Sequence, residues 1–411
     1  MEPKIRFKGF EGEWKETIWG NHIVSTHTGT NLLGEVSNKG IPLLKMGNIQ
    51  RGFFDLDKME YLAANQNPPV NCIANYGDFF YNTRNTLELV GKGATWMKKD
   101  GIYAFNSNIA ICNLDGIDTF FFNYLYNTLR SIKQVQARAK GTTSVAAVYM
   151  RDLKSIELAL PHITEQQAIA SYFTSLDTQI SASTSRLASL KQMKVASLQA
   201  MFPQEGETMP KIRFKGFEGE WKKVKFSNIA IIFRGLTYSP EDIVKEGVRV
   251  LRSSNIDDDT FILTNSDVYV SNKCVNIDAI QKGDILITAA NGSSRLVGKH
   301  TLVKEYDAKM QVAGGFMLRV ISNEADFLNA SMSSDWYKRF LKTGVAGGNG
   351  AIGNLNKNDL EETVLFIPKT KKERDAIANY FTSLDRQIFL QSQRLEKLKQ
   401  IKSACLDKMF V

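Results

Sequence analysis

The sequence is poor in the patterns that build disulfide-stabilised, zinc-binding and membrane-spanning proteins. Its 411 residues include 4 cysteines, which lie far apart without a Cys-x-x-Cys pair, so neither a structural zinc site nor a disulfide framework is expected. No apolar run approaches the roughly 20 residues that cross a bilayer, and the N-terminus has no signal-peptide core. We therefore expect a cytoplasmic protein whose cysteines are buried free thiols.

Motifs of common catalytic sites are missing as well. The sequence has no nucleophile elbow, Walker loop or nuclease-type acidic cluster, and its 4 histidines are isolated from other metal ligands. Asn67–Val70 (NPPV) is similar to an amino-methyltransferase signature, but valine replaces the aromatic residue that stacks on a flipped base. We interpret it as a surface turn. Gly348–Gly353 fits G-x-G-x-x-G without the preceding strand of a nucleotide site, so a flexible loop that can approach a phosphate backbone is favoured. A binding protein is expected, with no metal or cofactor of its own.

The length and net charge of the chain restrict the number of domains and the kind of partner less strictly. The chain is longer than a single hydrophobic core usually allows, so two or more domains are expected. Hydrophobic residues make up 43% and charged residues 23%, which is typical of a globular protein. The formal net charge of +9 permits a polyanionic partner but does not establish one, because many basic proteins bind no nucleic acid.

The chain contains an internal duplication. Pro3–Lys15 (PKIRFKGFEGEWK) recurs unchanged at Pro210–Lys222, and Tyr172–Phe202 recurs at Tyr380–Phe410 with 18 of 31 residues identical. Repeats of this length indicate a doubled architecture. The predicted parts are a variable block at 1–160, a long helix at 161–202, a polar linker at 203–209, a second block at 210–367 and a second long helix at 368–411.

Both long segments have the pattern of an amphipathic helix. Apolar residues recur three and four apart without glycine or proline, which predicts a coiled-coil seam. Because such a helix cannot bury its stripe alone, we expect the two copies to pair. The first would begin near Glu165, with Thr164 and Gln167 as its capping box, and run roughly 57 Å. The predicted seam residues are Phe173, Leu176, Ile180, Leu187, Leu190 and Leu198 in the first copy, and Phe381, Leu384, Ile388, Leu395, Leu398 and Leu406 in the second. Polar residues interrupt it at Ser183, Gln391, Lys194 and Lys402, where they either set the register or lie exposed.

The variable blocks agree with each other only in outline. Short predicted strands such as FFYN and ILIT are bounded by Gly, Asn and Asp, and helical patterns follow at Thr119–Ser131 and 325–342. Each block is therefore predicted to be a mixed α/β domain. Shared strands with divergent connections indicate one scaffold that carries two surfaces, as expected of two recognition domains with different specificities.

Basic and amide side chains gather at the ends of the predicted strands and in loops. These residue types form hydrogen bonds to base edges and bind phosphates, although lysine and arginine occur on any protein surface. The candidates for DNA contact are Lys45, Asn48, Arg51, Asn82, Arg84, Asn85, Lys92, Lys140, Thr142, Thr143 and Ser144 in the first block, and Arg252, Ser253, Asn255, Asn291, Ser293, Ser294, Arg295, Lys299, Asn349 and Asn354 in the second.

Taken together, these features resemble the specificity subunit of type I restriction–modification systems. The resemblance covers essentially the whole chain, since each variable block is followed by a proline and a helix with one shared opening pattern. The matching residues are Glu165, Gln166, Gln167, Ile169, Ala170, Phe173, Leu176, Asp177 and Ile180 in the first helix, and Glu373, Arg374, Ile377, Ala378, Phe381, Leu384, Asp385 and Ile388 in the second.

The resemblance implies a mixed α/β fold in which two long antiparallel helices, paired as a coiled coil, join two target-recognition domains in a pseudo-twofold repeat. It implies a non-catalytic subunit that binds double-stranded DNA, each domain reading one half of an asymmetric bipartite site while the helices fix the spacer. Two modification subunits would dock on it and bring S-adenosylmethionine, and restriction subunits would bring ATP and Mg.

Two other functions stay open at this point. The duplicated blocks could bind protein, which would make the chain a non-enzymatic scaffold with incidental basic charge. A self-sufficient methyltransferase is disfavoured, because no glycine-rich methyl-donor loop follows a predicted strand.

Overall fold

The chain folds into two units that are each assembled from separate parts of the sequence. Unit 1 comprises residues 1–184 and 393–411, and unit 2 comprises residues 185–392. The computed structural model describes residues 2–36, 39–142, 144–257, 259–304, 310–346 and 353–411. Each unit therefore holds one variable block, the beginning of one long helix and the end of the other.

The described residues of unit 1 form four small sheets, ordered β1-β13, β2-β10-β6-β8, β3-β5-β4-β9 and β11-β12-β7. Its strands are β1 (Lys15–Ile18), β2 (Ile23–Thr28), β3 (Gly34–Glu35), β4 (Pro42–Leu44), β5 (Glu60–Leu62), β6 (Phe79–Asn82), β7 (Arg84–Asn85), β8 (Gly93–Thr95), β9 (Ala104–Phe105), β10 (Ile109–Leu114), β11 (Lys140–Gly141), β12 (Ala146–Ala147) and β13 (Glu157–Leu160). Its helices are α1 (Thr119–Tyr126), α2 (Leu129–Ala137), α3 (Met150–Leu153) and the start of α4 (Ile163–Met201).

Unit 2 repeats these four sheets in the same order, as β14-β28, β15-β25-β21-β23, β16-β20-β17-β24 and β26-β27-β22, and adds the hairpin β18-β19. Its strands are β14 (Lys222–Lys225), β15 (Ile231–Arg234), β16 (Ile243–Val244), β17 (Val248–Leu251), β18 (Ile256–Asp257), β19 (Thr260–Phe261), β20 (Val268–Val270), β21 (Ile285–Thr288), β22 (Ala290–Asn291), β23 (His300–Leu302), β24 (Gln311–Ala313), β25 (Met317–Ile321), β26 (Val345–Ala346), β27 (Gly353–Leu355) and β28 (Val364–Ile367). Its helices are α5 (Ala325–Met332), α6 (Asp335–Gly344), α7 (Lys357–Glu362) and the start of α8 (Lys371–Met409). The predicted mixed α/β fold and internal repeat are confirmed.

The central strand of each unit is buried on both faces. In β6, Phe79 joins the aromatic core beside Trp19, whereas Phe80 joins a second core beside Phe105. Strand β21 alternates in the same way, with Ile285 in one core of unit 2 and Leu286 in another. Successive side chains of a strand point to opposite faces, so a short, uniformly apolar strand can lie between two cores.

The helical pattern predicted over Thr119–Ser131 forms two helices. Helix α1 ends at Tyr126 and α2 begins at Leu129, because the Thr128 side chain caps the second helix by accepting a hydrogen bond from Ser131 N. The helical pattern predicted over 325–342 likewise forms two helices, α5 and α6, with Ser333 and Ser334 between them. Hydroxyl groups that can bond to nearby backbone favour such breaks.

Helices α4 and α8 pair antiparallel in each unit. In unit 1, Tyr172 near the start of α4 contacts Cys405 near the end of α8, with 3.5 Å between the phenol oxygen and Sγ. In unit 2, Tyr380 near the start of α8 contacts Ser197 near the end of α4, with 2.7 Å between the hydroxyl oxygens. The two contacts are equivalent under the repeat, as the predicted antiparallel arrangement requires.

The polar interruptions of the seam form specific contacts. Lys402 pairs with Asp177 in unit 1, and Lys194 pairs with Asp385 in unit 2. Ser183 is buried and Gln391 half-buried. Of the predicted seam residues, Phe173, Leu176, Leu190, Leu198, Phe381, Leu384 and Leu395 are buried, and Ile180, Leu187, Ile388, Leu398 and Leu406 are half-buried.

The duplicated lead-in segment clamps the start of each long helix. Arg6 Nε and Nη2 each donate to one oxygen of the buried Glu165 carboxylate at 2.7 Å, and Arg213 holds Glu373 in the same way at 2.7 Å. The predicted capping box of Thr164 is wrong, because α4 already begins at Ile163 and Thr164 lies inside its first turn. A carboxylate in the first turn also suits the positive end of the helix dipole.

Each clamp also reaches the end of the other helix. Ile5 N donates to Lys408 O at 3.0 Å in unit 1, and Ile212 N donates to Ala200 O at 2.9 Å in unit 2. Phe410, at the end of α8, packs against Phe173 with ring centroids 5.9 Å apart, and Phe202 packs equally against Phe381 at 5.7 Å. Both halves of the sequence thus contribute to each core.

Cys72 and Cys112 are buried free thiols as predicted, whereas Cys274 and Cys405 are half-buried. Among the described residues, no helix has the length and apolar character needed to cross a membrane.

Candidate nucleic-acid interface

Three segments that carry predicted contact residues meet in unit 1. The loop after β4 is joined to the end of β6 by a hydrogen bond from Asn82 Nδ2 to Met46 O at 3.1 Å. Strand β7, which follows β6, pairs with β12, and β12 pairs with β11. The loops at 45–52 and 83–92 and the strand pair β11-β12 therefore share one surface.

The β11-β12-β7 sheet has an outward row of side chains. Lys140, Ala147 and Arg84 are in register across its three strands. Cross-strand neighbours lie on the same face of a sheet. Arg84 and Lys140 are exposed, whereas Ala146 in the neighbouring row is fully buried. Unit 1 consequently presents two cations on one exposed strand row.

Arg51 and Lys92 form a second basic pair in unit 1. Arg51 Nη2 donates to Glu88 O at 3.0 Å, and Lys92 Nζ donates to Gln50 Oε1 at 2.6 Å. Burial lowers the pKa of Arg51. Burial also lowers the pKa of Lys92, and the Arg51 charge lowers it further. An approaching phosphate would relieve this repulsion, because opposite charge favours the ionised form.

Unit 2 brings its candidates together on the equivalent scaffold. Asn291 Nδ2 donates to Ser253 Oγ at 3.0 Å, which joins β22 to the loop after β17. Strand β22 pairs with β27, so that Ala290 faces Asn354 across the sheet. Asn354 is exposed on this strand row. The two units thus present different side chains from one framework.

Three predicted contact residues have structural roles in the described fold. Asn48, Asn82 and Asn255 are 5%, 0% and 1% exposed. Asn48 Oδ1 accepts from Lys45 N at 2.9 Å, and Asn255 Oδ1 accepts from Arg252 N at 2.8 Å. Asparagine commonly closes turns in this way. Because all three side chains are buried, we leave them out of the contact set proposed below.

The other candidates lie at or near the surface. The exposed ones are Arg84, Lys140, Thr142, Ser144, Arg252, Ser293, Ser294, Arg295 and Asn354, and the half-buried ones are Lys45, Arg51, Asn85, Lys92, Ser253, Asn291 and Lys299. Thr143, Asn349 and all of Gly348–Gly353 except Gly353 lie outside the described residues. Asn67–Pro69 lies outside regular secondary structure, and Val70, which opens a short 3-10 helix, is 88% exposed.

Two features of unit 2 were missed from the sequence. The first is Phe316, which is 67% exposed and accepts backbone hydrogen bonds from Ala289 and Ala290, at the start of β22. An aromatic residue after two glycines, Gly314 and Gly315, is a weak signal for an exposed aromatic beside a recognition strand. Exposed aromatics can stack on bases.

The second missed feature is a basic groove of about 900 Å³ between the variable block of unit 2 and its two helix segments. Its cationic lining consists of Lys191, Lys194, Lys282, Arg295, Lys299, Lys304, Lys338 and Arg386, against the two carboxylates Asp259 and Asp385. Its lining also includes the apolar residues Val195, Phe389 and Leu390. Residues from six separated segments contribute to the groove, so the spacing of basic residues along the sequence did not predict it.

Comparison with known proteins identifies the architecture. Residues 33–192 match the family model of the type I restriction modification DNA specificity domain. The chain is 21% identical over 381 residues to a Methanocaldococcus jannaschii protein named as the specificity subunit of the type I restriction enzyme MjaX, covering 90% of this chain and 86% of that one. It is 21% identical over 392 residues to the Escherichia coli EcoKI specificity subunit, covering 90% and 82%.

Residues 33–192 therefore carry a type I DNA specificity domain. The fold of the chain is that of the crystal structure of the type I system S subunit from M. genitalium, with a TM-score of 0.67, 15% identity and coverage of 100% of this chain and 99% of that one. The matched model is that of a DNA specificity domain, and both relatives are named as specificity subunits of type I restriction enzymes. The sequence-based recognition of the family is confirmed.

Proposed function

We propose that this specificity subunit reads an asymmetric, bipartite site in double-stranded DNA, with unit 1 on one half and unit 2 on the other. The observation that carries the proposal is the repeated scaffold with unlike surface residues. The β11-β12-β7 sheet has Arg84 where the equivalent β22 has Ala290, and Ala147 where β27 has Asn354. Equal frameworks with unequal donors would bind two different base sequences in related ways.

Exchange of one variable block tests whether each unit reads its own half of the site. Replacing residues 16–160 by the block of a relative should change one half of the methylated site and leave the other half and the spacer unchanged. The measurement is single-molecule sequencing of methylated adenines in a host that carries the chain with its partner subunits. A change in both halves would contradict independent reading.

Binding of DNA by the chain itself separates this function from a protein scaffold with incidental basic charge. A DNA reader should bind random duplex with an affinity that falls linearly on a log–log plot against salt concentration, with a slope of about −0.9 for each phosphate contacted. Absence of duplex binding at low salt would favour the scaffold.

We also propose that the chain docks two modification subunits, which would bind S-adenosylmethionine, and through them restriction subunits that use ATP and Mg. An exposed apolar patch on the helix pair of unit 2 supports a docking role. Val195, Phe389 and Leu390, which line the same groove, are 51%, 43% and 52% exposed there. Clustered apolar exposure is typical of protein interfaces. The cytoplasmic location expected from the sequence belongs to the same proposal, because the DNA and partners would be found there.

The docking patch can be tested by substitution. The double variant Phe389→Ser, Leu390→Ala should weaken binding of a modification subunit by roughly 10- to 100-fold, because apolar interface residues near the centre of a contact contribute most of the affinity. Its melting temperature should stay unchanged, since both side chains are about half exposed. Lys397→Ala, on another exposed position of α8, is the matched control. Unchanged affinity in the double variant would remove this patch from the docking surface.

A further inference from the structure

The outward strand rows of the two units can be aligned residue by residue through their backbone hydrogen bonds. In unit 1, Val148 N donates to Thr83 O at 3.0 Å, and Thr83 N donates to Asn108 O at 3.1 Å. In unit 2, Leu355 N donates to Ala289 O at 2.7 Å, and Ala289 N donates to Phe316 O at 2.8 Å. Thr83 is therefore equivalent to Ala289, and the residues that follow them match in turn.

This alignment shows at which positions the side chains of the two outward rows differ. Unit 1 has Lys140, Ala147 and Arg84 across its three strands, from edge to edge. Unit 2 has Ala346, Asn354 and Ala290 at the same three places. Unit 1 thus carries its long polar side chains on the edge strands, and unit 2 carries one amide on the middle strand between two alanine positions.

Only some of these polar groups are available to a ligand. Lys140 Nζ lies 3.1–3.2 Å from the two carboxylate oxygens of Asp152, so its ammonium is already paired. Arg84 and Asn354 are exposed, and neither side chain has a hydrogen bond or ion pair to another residue in the described part of the chain. Each row therefore offers one principal uncommitted donor group.

The two donors suit different bases. Arginine donates two hydrogen bonds to the O6 and N7 acceptors of guanine, whereas asparagine pairs with the N6 donor and N7 acceptor of adenine in the major groove. We propose that Arg84 selects a guanine in the half-site of unit 1 and that Asn354 selects an adenine in the half-site of unit 2. This inference rests on the proposed DNA-reading function and adds the bases that the two units distinguish.

The position of each donor adds a geometric expectation. Arg84 stands on an edge strand and Asn354 on the middle strand, and neighbouring strands are about 4.8 Å apart. Base pairs follow one another about every 3.4 Å along the duplex. When the two half-sites are aligned in the same way as the two units, the position of the adenine should therefore differ from that of the guanine by about one base pair.

Substitution of single base pairs tests the assignment. The site is first mapped by sequencing of methylated adenines, and binding is then measured for the chain in complex with its modification subunits, with each half-site pair replaced in turn. Replacing the selected guanine should weaken the wild-type complex by about 10- to 100-fold. Arg84→Ala should bind both duplexes equally. Asn354→Ala should lose discrimination at one A·T pair of the other half-site.

Base analogues identify the contacted atom. A guanine replaced by 7-deazaguanine, which lacks N7, should weaken the wild-type complex and leave Arg84→Ala unaffected, and 7-deazaadenine should act in the same way on Asn354→Ala. Lys133→Ala removes one positive charge from an exposed position of α2 and should keep the full base preference. Circular dichroism and melting temperature verify that each variant is folded.

The outcomes separate this inference from the function on which it rests. If the wild-type complex binds its mapped site no better than random DNA, the proposed function fails. If the wild type is selective but Arg84→Ala keeps every base penalty, or loses affinity equally for all sequences as a phosphate contact would, the assignment of Arg84 is overturned. A unit 1 half-site without guanine, or a unit 2 half-site without adenine, overturns it as well.

Discussion

Replacing Arg6 with alanine should lower the free energy of unfolding of unit 1 by about 3–5 kcal/mol, the cost of removing one partner from a buried ion pair. Glu165 is 1% exposed and would lose both charge-assisted hydrogen bonds from the guanidinium. Urea unfolding of the full chain, followed by tryptophan fluorescence, measures the loss. Lys225→Ala is the control, because Lys225 and Glu362 are 52% and 66% exposed and such pairs contribute below about 1 kcal/mol.

The duplicated clamp provides an internal comparison. Arg213→Ala should cost unit 2 less than Arg6→Ala costs unit 1, because Trp221 Nε1 also donates to Glu373 Oε1 at 3.3 Å. The corresponding Trp14 Nε1 has no hydrogen-bond partner among the described residues. Equal losses for the Arg6, Arg213 and Lys225 variants would show that the clamps do not hold the helix ends.

Deleting one heptad from each long helix should shorten the spacer of the DNA site by about three base pairs. Each helix begins in one unit and ends in the other, and residues 186–192 and 394–400 are equivalent under the repeat. Seven residues span about 10.5 Å of helix, which corresponds to about three steps of 3.4 Å in the duplex. Methylation sequencing would give the new spacer directly.

A shorter deletion serves as the control. Removing four residues from each helix, 186–189 and 394–397, breaks the heptad phase of the apolar stripe and should destabilise the pair without producing a new, shorter site. If the heptad deletion leaves a functional subunit with the original spacer, the helices do not set the spacing.

The long helices were the most predictable elements. Their apolar period continues over more than ten turns, so the preferences of single residues for other structures could not break the helices. Helix α4 begins within two residues of the expected position. Strands such as FFYN were also predictable, because uniformly apolar runs between turn residues leave little alternative. The break at Thr128 was not predictable from the sequence. The helical pattern continues across it, and a single side chain that caps a backbone N–H starts a new helix there.

The contact surface was harder to predict than the fold. The rule of residue type and strand end selected Arg84 and Asn354, which are exposed, and also Asn82, which is fully buried. An asparagine that closes a turn and one that faces solvent are identical in sequence. Strand register, which depends on pairing partners about 60 residues away, decides which side chains point outward.

The two clamps also bear on how new specificities can arise. Arg6 and Arg213 stand in lead-in segments of identical sequence, and both hold helix starts of nearly the same sequence. A recognition block inherited from another subunit would therefore meet the same attachment points at either end of the chain. Genetic exchange of whole blocks can alter the target without requiring compensating mutations in the lead-in segments or the long helices. The variable blocks can therefore evolve independently of the helices that hold them.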